Sequence, residues 1–209
     1  MPPELILAFD TSAAYCAAAL LSGDRIIAQA MQPMEKGQSE ALLPLLEQVL
    51  APHTWADLAA IAVGTGPGNF TGVRISVALA RGLALGLNIP AIGVTRLEAL
   101  AHGLPRPITV IEDARRGAVY LQGFGTADET ALLLDLSDLP RVVETDLATG
   151  SAAPNPAPPA MPIAHAIAHI AAGRLHQHNP RPAPFYLRGA DAAPPSDAPP
   201  KILPPSAVA

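Results

Sequence analysis

Apolar residues open the chain in short runs divided by turn formers. Residues 5–9 (Leu-Ile-Leu-Ala-Phe) form a continuous apolar run ending at Asp10-Thr11-Ser12. Residues 17–21 form a second run and, after Ser22-Gly23-Asp24, residues 25–30 a third. Runs of that length between turn residues predict a β-meander. From Ser39 the period lengthens: Leu42, Leu43, Leu45, Leu46, Val49 and Leu50 predict a helix over 39–50, with Pro44 near its start or bending it. Those leucines cover more than the stripe a surface helix needs, leaving Glu40 and Glu47 on one polar edge.

The most informative stretch is 59–87. Ile61-Ala62-Val63 reads as a strand covered on both faces, Gly64, Gly66, Pro67 and Gly68 permit a tight turn, and Thr71 is placed to cap a long helix. A strand, a glycine turn and a helix start can hold an anion. The phosphate motifs fail, however. Val73-Arg74 follows Gly72 where a P-loop needs Lys-Ser/Thr, and the third fingerprint glycine is Asn69 counted from Gly64 or Thr71 counted from Gly66. The leading reading is that the glycines let loop and helix pack closely. Along the helix, small residues recur every fourth position, Gly72, Ser76, Ala80 and Ala84 on one stripe and Ala78, Gly82 and Gly86 on another, while Arg74 and Arg81 share a face. Two arginines and three glycines argue against a membrane span. A sheet covers one side only, so the other needs a second element of this chain or another protein. For both apolar helices, mutual coverage over a sheet is the rival to a partner surface.

Beyond the helix, residues 91–94 read as a strand and Thr95 caps a helix through His102. Pro105 and Pro107 mark a boundary between lobes, 1–104 and 105–189. Residues 108–112 and 118–124 predict a hairpin about a turn at 113–117, where Asp113 and Arg115 are either catalytic or, the commoner case, a pair ordering the turn. Residues 132–134 and 141–144 carry weak strand or helix signals, and the Ala/Pro-rich stretch 151–162 reads as a linker. A helix is expected over 163–176, with Ile163, Ile167, Ile170 and Arg174 on one stripe. Its other side carries His165 and His169 at metal-ligand spacing. With no glutamate after His165 and no obvious third ligand, a polar face is the better reading. From 190 onward six prolines in twenty residues predict a disordered tail.

Composition narrows the function classes. With 209 residues and a net charge of −5 without a basic stripe, the chain alone is a poor nucleic-acid binder. One cysteine, Cys16, leaves no disulfide framework and suits a reducing cytosol; in its Ala-rich run it reads as a small core residue. Met1-Pro-Pro-Glu4 lacks the basic and apolar regions of a signal peptide. Asp10 with Thr11 and Ser12 at a strand end is either a Mg²⁺-phosphate ligand set or a turn satisfying its own backbone.

Five segments occur together and in order: Leu7-Ala-Phe-Asp-Thr-Ser12, Ser39-x-x-Leu-Leu-Pro44, Gly66-Pro-Gly-Asn-Phe-Thr-Gly-Val-Arg74, Asp113-Ala-Arg115 with Val119-Tyr120, and Phe185-Tyr-Leu-Arg188. Together they closely resemble the TsaB (YeaZ) family of bacterial tRNA N6-threonylcarbamoyladenosine (t6A37) biosynthesis, the Gly-Pro-Gly block being the specific part. The resemblance implies an α/β chain of actin-like ATPase (ASKHA) fold, two lobes of mixed sheet with flanking helices. It also implies a cytoplasmic, non-catalytic scaffold that dimerises with the TsaD-type transferase through the two apolar helices and joins a TsaE-type ATPase, contacting tRNA only through the complex. Alone, the chain would pair with its own copy. The interface residues carried over are Leu43, Leu46, Leu50, Arg74, Val77, Ala80 and Arg81; Asp10, Thr11, Ser12, Gly66 and Gly68 would be vestigial nucleotide-type loops. No cofactor is implied, ATP and metal belonging to the partner subunits. Where the catalytic paralogue has metal-binding histidines, residues 36–42 have none, and Thr11-Ser12-Ala13 replaces the glycine that follows the acidic residue in nucleotide-binding relatives. The segment around 127–160 is short for the family. The alternative is a small ATP-dependent kinase or ATPase of the same superfamily; a metallopeptidase, suggested only by the family's historical naming, is a third.

Overall fold

A computed structural model of the chain describes residues 3–141 and 147–188. The expected tail at 190–209 and most of the weak element at 141–144 lie outside those residues. Nine strands and four α-helices are present among the described residues.

The first sheet is built from β1 (Leu5–Asp10), β2 (Tyr15–Ser22), β3 (Arg25–Pro33), β4 (Leu58–Gly64) and β5 (Ala91–Val94) in the order β3-β2-β1-β4-β5. The N-terminal meander pairs antiparallel, with Leu7 opposite Leu20 and Ala18 opposite Ala30, whereas β4 joins β1, and β5 joins β4, in parallel. The helices are α1 (Gln38–Leu50), α2 (Phe70–Leu87), α3 (Arg96–Ala101) and α4 (Ile163–Ala172). Leu5, Leu7 and Phe9 face α1 and α2, while Ile6 and Ala8 face α4. Burial on both faces is why β1 is apolar at every position before Asp10.

The second sheet has the order β8-β7-β6-β9, from β6 (Ile108–Asp113), β7 (Ala118–Phe124), β8 (Leu132–Asp135) and β9 (Ala148–Thr149). Leu97, Leu100 and Ala101 of α3 pack with Ile108, Val110, Tyr120 and Phe124 beneath it. The two sheets thus fall either side of the expected boundary at 104/105, but each borrows a helix across it, α3 going to the second sheet and α4 returning to the first.

α1 buries Leu42, Leu45, Leu46, Val49 and Leu50 and leaves only Leu43 of its leucines exposed, at 39 %. Its surplus of leucine is therefore used by the lobe. In α2 the two small-residue stripes separate cleanly. Gly72, Ser76, Ala80 and Ala84 are buried toward the sheet, whereas Ala78, Gly82 and Gly86 are exposed. α2 is the one helix among the described residues long and apolar enough to cross a membrane, but one side lies on the sheet, and Arg74 and Arg81 stand outside its buried stripe.

Candidate functional site

The glycine loop between β4 and α2 is shaped by the chain end of β1. A Cβ at Gly72 would overlap the Thr11 carbonyl oxygen, one at Gly68 the Ser12 carbonyl oxygen, and one at Gly64 the Asp10 carboxylate. Gly66 takes φ 86°, where a side chain is strained. The Asn69 amide donates to the Ser12 carbonyl (2.7 Å) and the Thr11 hydroxyl to the Gly72 carbonyl (2.7 Å). Close packing, the leading reading of these glycines, is what they do. Asn69, rather than Thr71, caps α2: its Oδ1 accepts from the amides of Thr71 and Gly72 (3.0 and 3.1 Å). Two of the amides that would meet an anion at this helix start are thereby taken.

Between the lobes, side chains from four segments and a backbone amide from a fifth satisfy one another. Asp10 Oδ2 accepts from the Ser12 hydroxyl (2.8 Å) and the Tyr15 hydroxyl (2.7 Å), and Tyr15 in turn accepts from Arg96 Nη1. Arg96 Nε meets Glu112 Oε2 at 2.7 Å, and Glu112 Oε1 accepts from the Ser151 amide (2.7 Å). Asp10, Thr11, Ser12 and Glu112 are all buried. Burial, reinforced by the Asp10 carboxylate, pushes the Tyr15 phenol above its usual range, so it stays a neutral donor. For Arg96 burial works against the charge, but Tyr15, Glu112 and Asp10 outweigh it and hold the guanidinium protonated. Asp10 Oδ1 is buried without a hydrogen-bond partner. Burial and the nearby Asp10 raise the Cys16 thiol to about 11, which suits a core residue rather than a nucleophile.

A strap formed by residues 179–188 ties these parts together. The Phe185 amide donates to the Thr65 carbonyl (2.8 Å), and Arg188 Nη2 donates to the carbonyls of Ala114 and Arg115. Tyr186 hydroxyl accepts from Arg74 Nε (2.7 Å), and the Arg74 guanidinium lies 3.6 Å over the Phe70 ring. Asp113 and Arg115 order their turn, Asp113 Oδ1 accepting from the Arg115 amide (2.7 Å), with Arg115, Arg116 and Gly117 all at positive φ.

The residues expected at a partner interface divide. Leu46, Leu50, Val77 and Ala80 line the first lobe's core, and Leu43, Arg74 and Arg81 remain outside it. Leu85, absent from that expectation, is 79 % exposed. Gly82 and Gly86 meet nothing within 4 Å where a Cβ would stand. Glycine in a helix interior costs about 1 kcal/mol relative to alanine, and no contact among the described residues calls for it here. His165 and His169 do not converge: His165 meets Gln29, while His169 stacks on His102 at 6.3 Å, and no cluster of metal-ligating residues occurs among the described residues. Arg96, Tyr15 and Glu112 were not singled out by sequence. Only Thr95, whose hydroxyl caps α3 by accepting from the Glu98 amide, marked Arg96's position.

The antiparallel meander, the parallel β1-β4-β5 half and the second mixed sheet define the actin-like ATPase fold, here with the interlobe cleft spanned by the chain's own side chains. Residues 31–137, just over half of the chain, match the family described as TsaD, tRNA N6-adenosine threonylcarbamoyltransferase. Two similar relatives are named tRNA threonylcarbamoyladenosine biosynthesis protein TsaB. That of Escherichia coli K12 is 37 % identical over 55 % of this chain and 52 % of its own, and that of Bacillus subtilis 168 is 43 % identical over 55 % and 52 %. The matches span about half the length of those relatives. The solved structure of YeaZ from Pseudomonas aeruginosa superposes with a TM-score of 0.67 at 25 % identity, covering 88 % of this chain and all of that one. The chain belongs to the TsaD-type threonylcarbamoyltransferase family, on its TsaB (YeaZ) side.

Proposed function

We propose that the chain is a non-catalytic scaffold subunit in t6A37 biosynthesis, docking a TsaD-type transferase on the outward face of α2. The observation that carries this is the exposed stripe of Ala78, Gly82 and Gly86 beside Leu85. Small residues there let a second helix approach closely, and an exposed leucine supplies apolar area for it to bury. The similarity to TsaB-named proteins supplies the pathway. A TsaE-type ATPase and tRNA would be received by the assembled pair in the cytoplasm, away from any membrane, and alone the chain would pair with its own copy through the same face.

The scaffold reading also assigns no cofactor to this chain. Asp10, Thr11 and Ser12, the candidate nucleotide ligands, are engaged with Tyr15, Gly72 and each other, and Gly68 is pressed onto Ser12. Calorimetric titration of the isolated chain with Mg²⁺-ATP is expected to give no saturable heat; stoichiometric binding lost in Asp10→Asn would favour the kinase alternative. The function itself is tested by assaying t6A in tRNA with the transferase co-expressed with and without this chain. Modification is expected to require the chain, and unchanged modification in its absence would refute the assignment.

A further inference from the structure

β3 is an edge strand whose outer hydrogen-bonding groups are unused. It borders the first sheet on the side away from β4, the strand that α2 packs on. From Ile26 to Gln32 it carries neither charge nor proline, and Ile27 and Met31 are exposed at 43 % and 64 %. Edge strands are ordinarily blunted by charge, proline or a covering element. The Met34 amide donates to the Ala14 carbonyl (3.0 Å), and an antiparallel ladder alternates. Ala28, Ala30 and Gln32 therefore turn their backbone groups toward β2, while Gln29 and Met31 turn theirs outward. Among the described residues no backbone group meets them there. Two irregularities bound this stretch. At Ile27 the register slips and leaves that residue without a partner on β2, and Pro33 has no amide to offer. Beyond them stand exposed charges in opposite order, Asp24 and Arg25 on one side, Glu35 and Lys36 on the other, none in an ion pair among the described residues.

We infer that β3 is a self-complementary edge, pairing antiparallel with β3 of a second copy of the chain about a two-fold axis at Ala30. Outward groups must meet outward groups, which places the axis at Gln29, Ala30 or Met31 and not between residues. Centred on Gln29, the ladder sets the slipped Ile27 against Met31; centred on Met31, it sets Pro33 against Gln29. With Ala30 at the centre, Gln29 and Met31 of the two copies face each other, each donating its amide and accepting at its carbonyl. Ile27 and Pro33 then fall together at both ends, where the ladder stops. The same register sets Arg25 opposite Glu35 and Asp24 opposite Lys36, twice per dimer, so the flanking charges select the register that the backbone selects. A two-fold pairing also consumes both β3 edges, which keeps an uncharged strand from templating open aggregates. It is separate from docking on α2, which packs on β4, three strands away.

Disulfide trapping reads the register directly. At the axis Ala30 faces its own copy in a non-hydrogen-bonded pair, with Cα atoms about 4.5 Å apart, a separation that a disulfide can bridge. Gln29 and Gln32 lie too far from their own copies to be bridged. With diamide as oxidant, the chain carrying Ala30→Cys is expected to form a covalent dimer at least about tenfold faster than chains carrying Gln29→Cys or Gln32→Cys, the native Cys16 being buried. Two additions to the Ala30→Cys chain, each checked for wild-type circular dichroism, probe the cause. Met31→Pro removes an outward amide that β2 does not use, and Arg25→Glu sets like charges opposite. Each is expected to slow trapping at least about fivefold. Joining Glu35→Arg to Arg25→Glu restores opposite signs and is expected to restore the rate. Trapping that is equal at the three positions, fastest at Gln29→Cys, or left unchanged by Met31→Pro or by Arg25→Glu would overturn the pairing. An Ala30→Cys chain that stays monomeric would overturn it as well.

Discussion

Arg96→Met is expected to destabilise the chain by about 3–5 kcal/mol, the usual result of removing one partner from a buried ion pair. Methionine keeps most of the stem and removes the guanidinium, whose side chain is only 16 % exposed and which is the cation shared by Glu112 and the Tyr15–Asp10 pair. What is lost is less the attraction itself than the compensation, since Glu112, 9 % exposed at its side chain, is left charged without Arg96 against it. Urea denaturation checks the size of the effect, and the double variant Arg96→Met/Glu112→Gln separates the two contributions. A neutral glutamine in place of Glu112 removes the unpaired charge at that position, although the buried Asp10 still lacks its cation, so the double variant is expected to be more stable than Arg96→Met alone. A loss below about 1 kcal/mol for Arg96→Met would mean that the pair behaves as a surface salt bridge and does not hold the lobes together.

The second large effect is expected at Gly72. Its missing side chain is where the Thr11 carbonyl sits, a backbone atom that cannot turn aside, so Gly72→Ala must shift either the start of α2 or the end of β1. Overpacking of this kind costs about 1–3 kcal/mol, and here it also threatens the Thr11 hydroxyl bond to the Gly72 carbonyl. Gly82→Ala on the same helix has open space around the new methyl and is expected to stabilise the isolated chain by about 1 kcal/mol. Opposite signs from one substitution, ten residues apart, would establish that α2 has a side committed to the lobe and a side that is not. Equal effects, read from urea midpoints, would refute it.

Much of the fold was legible because its signals are local. The apolar runs of β1 and β2, the Ser22-Gly23-Asp24 turn and the hairpin about 113–117 are each specified by neighbours in sequence. The start of α2 was misplaced by two residues because Asn69 and Thr71 are both good caps, and only the reach of Asn69 Oδ1 to two amides decides between them. The helix expected over 163–176 ends as an α-helix at Ala172, and residues 173–176 continue it only as turns, Gly173 keeping right-handed backbone angles. Its isoleucine stripe announced a buried side but could not say that the first sheet, rather than the second, would bury it. The β9 bridge, two residues long, gave no pattern at all. At the candidate site, the four-residue spacing exposed two small-residue stripes but not which of them faced the sheet. That choice depends on the register of α2 against β4, fixed by contacts such as Gly72 with Thr11, 61 residues away. The same holds for the interlobe cluster, where Tyr15 meets Arg96 across 81 residues.

The assignment of α1 was altered most by the structure. Its leucines looked like surplus surface, yet Leu42, Leu45, Leu46, Val49 and Leu50 all face inward. The apolar surface left over on the helical face belongs mainly to α2, so a docking test aimed at Leu46 or Ala80 would disturb the core and report on folding instead.

The docking face is tested most directly by Gly82→Trp, measured as the dissociation constant of the purified chain for its TsaD-type transferase alongside the thermal melt of the chain alone. The indole would project into space that is empty among the described residues, so the melt is expected to stay at or slightly above that of wild type while binding weakens at least about a hundredfold. A variant that still binds like wild type would contradict the account, because a helix packed closely against Gly82 leaves no room for tryptophan.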